Sequence, residues 1–255
     1  MDDAALLQLL DDTAAAVAAA LDTDAARDAD SWRDKGERPG QYRIDLVADA
    51  AALDVLRRGG VGILSEESGL EDEHNELVVV VDPVDGSTNA SRGIPWYATS
   101  LCAVDAQGPR ASLIVNLATG TRYQALRGGG ATRDGRPIMP STAQSLPEAL
   151  IVLNGYSPSY LHWHQHRSLG ASALDLCSVA DGRVDGTMDC TDSALGPWDY
   201  MGALLLLSEV GAHIADAEGR ELVVLDHNAR RTPVSAGTPE LFEELLAARR
   251  EQPEW

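Results

Sequence analysis

Leu77-Val78-Val79-Val80-Val81 runs directly into Asp82-Pro83-Val84-Asp85-Gly86-Ser87-Thr88-Asn89, and the reading of this junction decides the fold. Five consecutive apolar residues rich in β-branched side chains mark a strand buried on both faces. Two carboxylates follow at once, Asp82 and Asp85. Pro83 fixes one φ angle and removes a donor, Gly86 permits a tight turn, and Ser87, Thr88 and Asn89 all suit the cap of a helix. A strand that ends this way and opens a helix sets free N–H groups beside two carboxylates. Such N–H groups bind phosphate oxygens, and carboxylates bind hard cations. The same letters also describe an ordinary acidic turn, because Asp-Pro and Asp-Gly pairs are frequent in turns.

Outward from this point, strands and helices mix without strict alternation. Ala4–Leu21 places Leu6, Leu9, Leu10, Val17 and Leu21 at helical spacing, and Asp45–Arg58 predicts a second helix stopped by Gly59-Gly60. The polar stretch Asp22–Tyr42 between them reads as an exposed, mobile loop. Val61–Leu64 is short and apolar and leads into Glu66-Glu67. Downstream, Tyr97–Val104, Ala111–Asn116 and Thr121–Ala125 predict a meander, and Gly128-Gly129-Gly130 a turn without the spacing of a phosphate-binding loop. Glu148–Asn154 and Val223–Leu225 suit strands; Ala171–Ala180, Pro197–Val210 and Pro239–Arg250 suit helices. The pattern argues for layered α/β packing and against a Rossmann sheet or a TIM barrel.

Composition narrows the function. The chain has 255 residues, 44% hydrophobic and 24% charged, as expected of a globular protein. With 20 Lys+Arg against 40 Asp+Glu the net charge is −20, which argues against nucleic acid or anionic membrane as a partner. Three widely spaced cysteines, Cys102, Cys177 and Cys190, fit reduced thiols and a cytoplasmic location. The acidic N-terminus lacks the positive charge of an export signal, and the apolar run Met201–Leu207 is far short of the roughly 20 residues of a membrane span.

Two further acidic sites join the first. Adjacent Glu66 and Glu67 repel each other, a cost that a cation between them and other groups would relieve, unless both are simply solvated. Trp198-Asp199 opens the segment PWDYMGALLLLSEVGA, where an aspartate is favoured by the helix dipole even without a function. His162, His164 and His166 alternate, but with no fourth ligand indicated they read as a polar surface loop.

Taken together, ILSEESG (63–69), VDPVDGSTN (81–89) and PWDYMGALLLLSEVGA (197–212) resemble the three signature segments of the inositol monophosphatase family, in order. GASALDLC (170–177) with DGRVDG (181–186) is similar to the segment between the second and third. The resemblance implies an α/β (α+β) fold, a layered αβαβα sandwich. It implies a single phosphatase domain over residues 1–255, with an N-terminal metal-binding half to residue 140 and a C-terminal substrate-loop half from residue 141. The implied activity is Mg²⁺-dependent hydrolysis of a small phosphate monoester of the inositol-1-phosphate type. Histidinol phosphate, 3′-phosphoadenosine 5′-phosphate and fructose 1,6-bisphosphate are alternatives within the same architecture. A metal-binding regulatory protein acting through a protein partner is the alternative of another class. Homodimers are common in the family and are expected here.

Carried over by position, Glu66, Asp82, the Val84 carbonyl, Asp85 and Asp199 would hold the metals. Such a pair, about 3.5–4 Å apart, can clamp the attacking and leaving oxygens of an in-line displacement. Glu67 and Ser87 would orient the attacking water, and Gly86 and Ser87 N–H groups would hold the phosphate. An upstream aspartate also supports the water; Asp45 fits the usual spacing better and Asp49 the alanine-rich context, with Asp45 preferred. Gly170, Ala171 and Ser172 match a loop that touches the substrate alcohol, and Asp192, seven positions before Asp199, matches an acidic substrate contact. Ala90 and Arg92 depart from the family's phenylalanine and histidine at the edge of the site.

Overall fold

The computed structural model describes residues 1–23, 32, 34 and 42–252. The expected loop Asp22–Tyr42 therefore falls almost wholly outside the described residues. The outermost layer is a helix pair, α1 (Asp3–Leu21) and α2 (Arg43–Gly59). Asp2 starts α1 by accepting the Ala5 N–H at 2.8 Å, and Gly60 ends α2 in the left-handed region at φ 69°. Leu6, Leu10, Val17, Ile44 and Leu56 are buried together against the sheet beneath. At nineteen residues and a mean hydropathy of 1.5, α1 is long and apolar enough to cross a bilayer. Its Leu6, Leu10, Val17 and Leu21 stripe is instead spent on this packing.

Beneath the pair lies a sheet of β1 (Gly62–Ser65), β2 (Gly69–Glu71), β3 (Val78–Asp85), β4 (Ala98–Asp105), β5 (Gly108–Asn116), β6 (Arg122–Leu126), β7 (Gly130–Arg133) and β8 (Arg136–Pro137). The order is β2-β1-β3-β4-β5-β6-β7-β8, with β1 and β3 parallel and every other pair antiparallel. Strand β3 is buried along all eight residues. Val79 and Val81 face the α1/α2 layer, while Val78 and Val80 face the next one. Burying each such side chain is worth about 1.5–3 kcal/mol, which commits β3 to the centre. The glycine triplet is the expected turn: Gly128 and Gly130 N–H groups each donate to the Glu209 carboxylate at 2.8 Å.

Between β3 and β4 stands a short helix, α3 (Ser87–Ser91). The middle layer is α4 (Ser172–Ala180) and α5 (Pro197–Glu209), with α5 lying across β3 to β6. A second sheet covers it, built from β9 (Leu150–Asn154), β10 (Gln165–Arg167), β11 (Gly186–Asp189), β12 (His213–Asp216) and β13 (Pro233–Ala236). Its order is β10-β9-β11-β13-β12. Helix α6 (Pro239–Arg250), capped by Thr238, closes the far face through Leu241, Leu245 and Leu246. The stack is thus the expected αβαβα sandwich. Val223–Leu225, expected as a strand, is not one. The strands of that region are β12 and β13 on either side of it.

Candidate active site

The parallel register pairs Ser65 of β1 with Val81 of β3. Glu66 and Asp82 therefore leave the pair abreast, and the Glu66 N–H donates to the Val81 carbonyl at 3.2 Å. Past Asp82 the β3–β4 ladder slips, resuming only at Asp85 opposite Ala98. Pro83, which cannot donate, sits in this bulge, and its carbonyl accepts the Thr99 hydroxyl at 2.9 Å. Val84 lies in the same bulge with its N–H turned back to the Asp82 carboxylate at 3.0 Å. A bulge re-aims side chains, and past it the Asp82 and Asp85 carboxylates come within 4.8 Å of each other.

Asp199 arrives from the far end of the chain. Pro197 starts α5, and the Gly196 N–H donates to Asp199 Oδ2 at 2.6 Å. Ser100, the cross-strand partner of Asp82, donates its hydroxyl to the Trp198 carbonyl at 3.3 Å. That bond ties the start of α5 to β4. Asp82, Asp85 and Asp199 each present a carboxylate oxygen within 4.8 Å of the others, the one such group among the described residues. Glu66 lies outside that triplet but shares a hydrogen bond with Asp82.

Burial dominates the electrostatics. It pushes the Glu66 carboxyl up to about 8, helped by the charge of Glu67. It pushes Asp85 up to about 7 despite two main-chain donors. Asp82 and Asp199 are also raised, by burial first and then by their carboxylate neighbours. Four mutually repelling carboxyls must share protons or take a cation. Oxygen-only donors suit a hard divalent ion such as Mg²⁺ and not zinc, so the residues present fit such a metal.

The other expected residues divide. Gly86 adopts φ 82°, and a Cβ there would meet the Ala171 Cβ at 2.9 Å and the Gly170 carbonyl at 3.0 Å. The Asn89 amide donates to the carbonyls of Leu169 and Trp96, both at 2.8 Å. Gly170 and Ala171 are thereby brought against the motif, and Ser172 with them. Ser87 opens α3 directly after Gly86, half-buried. Asp45 is buried, accepts the Tyr42 N–H at 2.8 Å and adds its charge to the field on Glu66. Asp49 accepts the hydroxyls of Ser65, at 2.5 Å, and Ser68, so it holds the turn that carries Glu66 and Glu67. The Glu67 N–H donates to Ser65 Oγ at 3.1 Å.

Three expectations do not lead to the cluster. The Asp192 carboxylate is paired with Arg249 of α6, whose Nε also donates to the Asp189 carbonyl at 2.6 Å. Ala90 and Arg92 line a cavity of about 590 Å³ with Ala18, Trp32 and Tyr97, on the α1 side. His162 and His164 are exposed in the loop before β10, while His166, expected in the same loop, is exposed within that strand.

Residues not singled out from sequence complete the surroundings. Asp189, at the end of β11, is 3% exposed, and its Oδ2 is buried with no hydrogen-bond partner; burial pushes this carboxyl up to about 7. It lines a small cavity with Asn154, Ser172 and Asp175. Asp175 accepts the Trp96 indole N–H at 2.7 Å. His227 and Arg230 both lie against the Trp198 ring, each at 5.0 Å. Only the acidic ending of GTMD could have flagged Asp189; nothing local marks His227.

The comparisons agree with this architecture. A fructose-1,6-bisphosphatase/inositol-1-monophosphatase of Methanothermobacter thermautotrophicus is 32% identical over 227 residues, covering 80% of this chain and 81% of the relative. The Nus factor SuhB of Escherichia coli is 29% identical over 236 residues, covering 86% and 85%. The solved inositol monophosphatase of Anabaena (Nostoc) sp. superposes with a TM-score of 0.77 at 25% identity, covering 97% and 96%. Residues 3–254 match the profile of the family described as inositol monophosphatases, and the chain belongs to the inositol monophosphatase family.

Proposed function

We propose that this protein is a Mg²⁺-dependent phosphomonoesterase acting on a small polyhydroxylated phosphate ester of the inositol-1-phosphate type. The convergence of Asp82, Asp85 and Asp199 with Glu66 beside them is the observation that carries the reading. Glu66, Asp82, the Val84 carbonyl, Asp85 and Asp199 hold the cations. When bound, these supply Lewis-acid stabilisation of the phosphoryl charge and a lowered pKa for the attacking water. The chain's own groups do the rest. Main-chain N–H groups of Gly86 and Ser87 hold phosphate oxygens, the Ser87 hydroxyl and Glu67 orient the water, and the Asp45 carboxylate takes up its proton. Asp85 touches the substrate where Gly170 and Ala171 approach the motif. The unpartnered oxygen of Asp189 accepts a hydroxyl of the departing alcohol. A homodimer and a cytoplasmic location belong to the same reading; the three buried free cysteines support the latter.

A second reading, a regulatory protein acting through a protein partner, draws support from the relative named Nus factor SuhB. The complete carboxylate set favours the enzyme. Turnover of inositol-1-phosphate, fructose 1,6-bisphosphate, histidinol phosphate and 3′-phosphoadenosine 5′-phosphate by the purified chain with and without Mg²⁺ tests both. Asp82→Asn is expected to lower the Mg²⁺-dependent rate by about 10²–10³-fold, the scale of losing one group that stabilises transition-state charge. If no ester is hydrolysed at a rate that Asp82→Asn reduces, the enzymatic reading fails and the regulatory one stands.

A further inference from the structure

Glu66 is held on both sides of its main chain. Its N–H is fixed by the Val81 carbonyl at 3.2 Å. Its own carbonyl is met by His227 Nε2 at 2.9 Å, from 161 residues away. A carbonyl can only accept, so His227 carries its proton on Nε2. The same imidazole lies against the Trp198 ring, with centroids 5.0 Å apart and planes tilted by 34°. Trp198 precedes Asp199, and its carbonyl is already tied to Ser100 of β4. His227 thus touches the two segments that supply Glu66 and Asp199.

The loop that bears it is braced. Arg230 lies over the Trp198 ring at 5.0 Å and donates from one guanidinium nitrogen to the carbonyls of His227 and Ala229, both at 2.8 Å. The Asn228 N–H donates to Asp226 Oδ1 at 2.9 Å. Glu66 itself lies just beyond the end of β1, with the bond from its N–H to Val81 the last tie to β3. A carboxylate at a strand end keeps its place relative to a helix start only if something spans the gap.

We infer that His227 is a positioning residue for the cation site, a clamp that sets the separation of Glu66 from Asp199 by bonding the Glu66 carbonyl while resting on Trp198. The inference rests on the proposed cation-dependent reading but concerns metal binding alone. The imidazole touches neither substrate nor cation; it acts through the main chain of one ligand-bearing residue and the neighbour of another. Groups behind metal ligands that fix their orientation commonly change affinity by about 10–100-fold when removed.

The test is calorimetric titration of the metal-free protein with Mg²⁺ alone, for the wild type and three variants. His227→Phe keeps a ring on Trp198 and loses the donor. His227→Asn shortens the donor's reach, and His227→Gln places an amide N–H near the position of Nε2. The expected result is that His227→Phe and His227→Asn weaken Mg²⁺ binding by about tenfold, while His227→Gln returns it to within about threefold of wild type. In turnover assays the half-saturating Mg²⁺ concentration follows the same order, and kcat at saturating Mg²⁺ changes by less than about threefold. Should His227→Phe not fold, the Asn and Gln pair still decides. Unchanged Mg²⁺ affinity in His227→Asn overturns the inference. So does equal weakening in His227→Asn and His227→Gln, which would mark a packing role with no part for the donor. A wild type that binds Mg²⁺ but hydrolyses none of the esters defeats the phosphatase reading and leaves the clamp to be judged by calorimetry.

Discussion

Asp85 and Ala173 are joined across the centre of the molecule: the Ala173 N–H donates to Asp85 Oδ2 at 2.7 Å, and the neighbouring Ser172 N–H donates to Oδ1 at 3.2 Å. The carboxylate that ends β3 is therefore also the cap of α4, the helix whose start carries Gly170 and Ala171 to the motif. One side chain serves the carboxylate cluster and the segment at Gly170 together.

That double duty separates two substitutions. Asp85→Ala removes the cap and is expected to cost about 1 kcal/mol of stability. Asp85→Asn keeps an acceptor and deletes one of several crowded negative charges. At pH 8, above the value of about 7 to which burial pushes Asp85, the metal-free Asn variant is expected to melt no lower than wild type. Thermal unfolding in EDTA measures both. An Asn variant that melts below wild type at pH 8 would deny the repulsion.

The raised carboxyls set a pH dependence whose sign follows from linkage. Glu66 sits at about 8 and Asp85 at about 7, both above their ordinary values. A carboxyl raised in the folded state stabilises the fold at low pH, where it is protonated, and loses that contribution as pH climbs through the folded value. The melting temperature of the metal-free protein should fall between pH 6 and pH 9. Saturating Mg²⁺ holds the carboxylates ionised, so the fall should shrink or vanish, and Mg²⁺ binding at pH 7 should release protons. Calorimetry in buffers of different ionisation enthalpy counts them. A proton count of zero at pH 7 would contradict the shared protons inferred for the cluster.

Gly86 offers a test of how tightly the motif meets the segment at Gly170 and Ala171. Its φ of 82° is disfavoured for any side chain, and an added Cβ would be 2.9 Å from the Ala171 Cβ and 3.0 Å from the Trp96 carbonyl. Gly86→Ala combines left-handed strain of about 1–2 kcal/mol with overpacking of about 1–3 kcal/mol. Denaturant unfolding should show a loss of about 2–5 kcal/mol. An unchanged midpoint would mean that the loop at Gly170 yields freely.

How much of this could be read beforehand depends on whether the signal is local. The run Leu77–Val81 leaves no polar position to face water, so a central strand is its one economical use. The DPVDG turn announces itself through residues with restricted or unusual backbones. Strand β3 nevertheless runs on to Asp85, because the bulge gives Pro83 a gap in the ladder where its missing N–H does no harm. Strands β12 and β13 are four residues each and owe their pairing to one another across a loop. Val223–Leu225 looks the better strand by composition, yet β-propensity without a partner makes no ladder. His227 is invisible locally, since its bond to Glu66 spans 161 residues.

For the proposed acidic substrate contact, position counting and the structure point to different residues. Spacing from Asp199 points to Asp192, but that carboxylate is paired with Arg249, contributed by a helix that begins forty residues after Asp199. Asp189 instead ends β11 with one oxygen buried and unpartnered, a state that costs about 1–3 kcal/mol unless a ligand or water answers it. A hydroxyl of the leaving alcohol would satisfy that oxygen, so Asp189→Asn should raise KM more than it lowers kcat. A single hydrogen bond to a charged group, about 1.5–3 kcal/mol, corresponds to roughly 10–150-fold in kcat/KM. Asp192→Asn should lower the melting temperature, because it leaves the buried Arg249 guanidinium without its charge partner, and leave KM within about twofold. Steady-state kinetics of the two variants on one phosphate ester decides between the positions. A KM effect confined to Asp192→Asn would return the contact to the counted residue and make Asp189 a buried structural carboxyl.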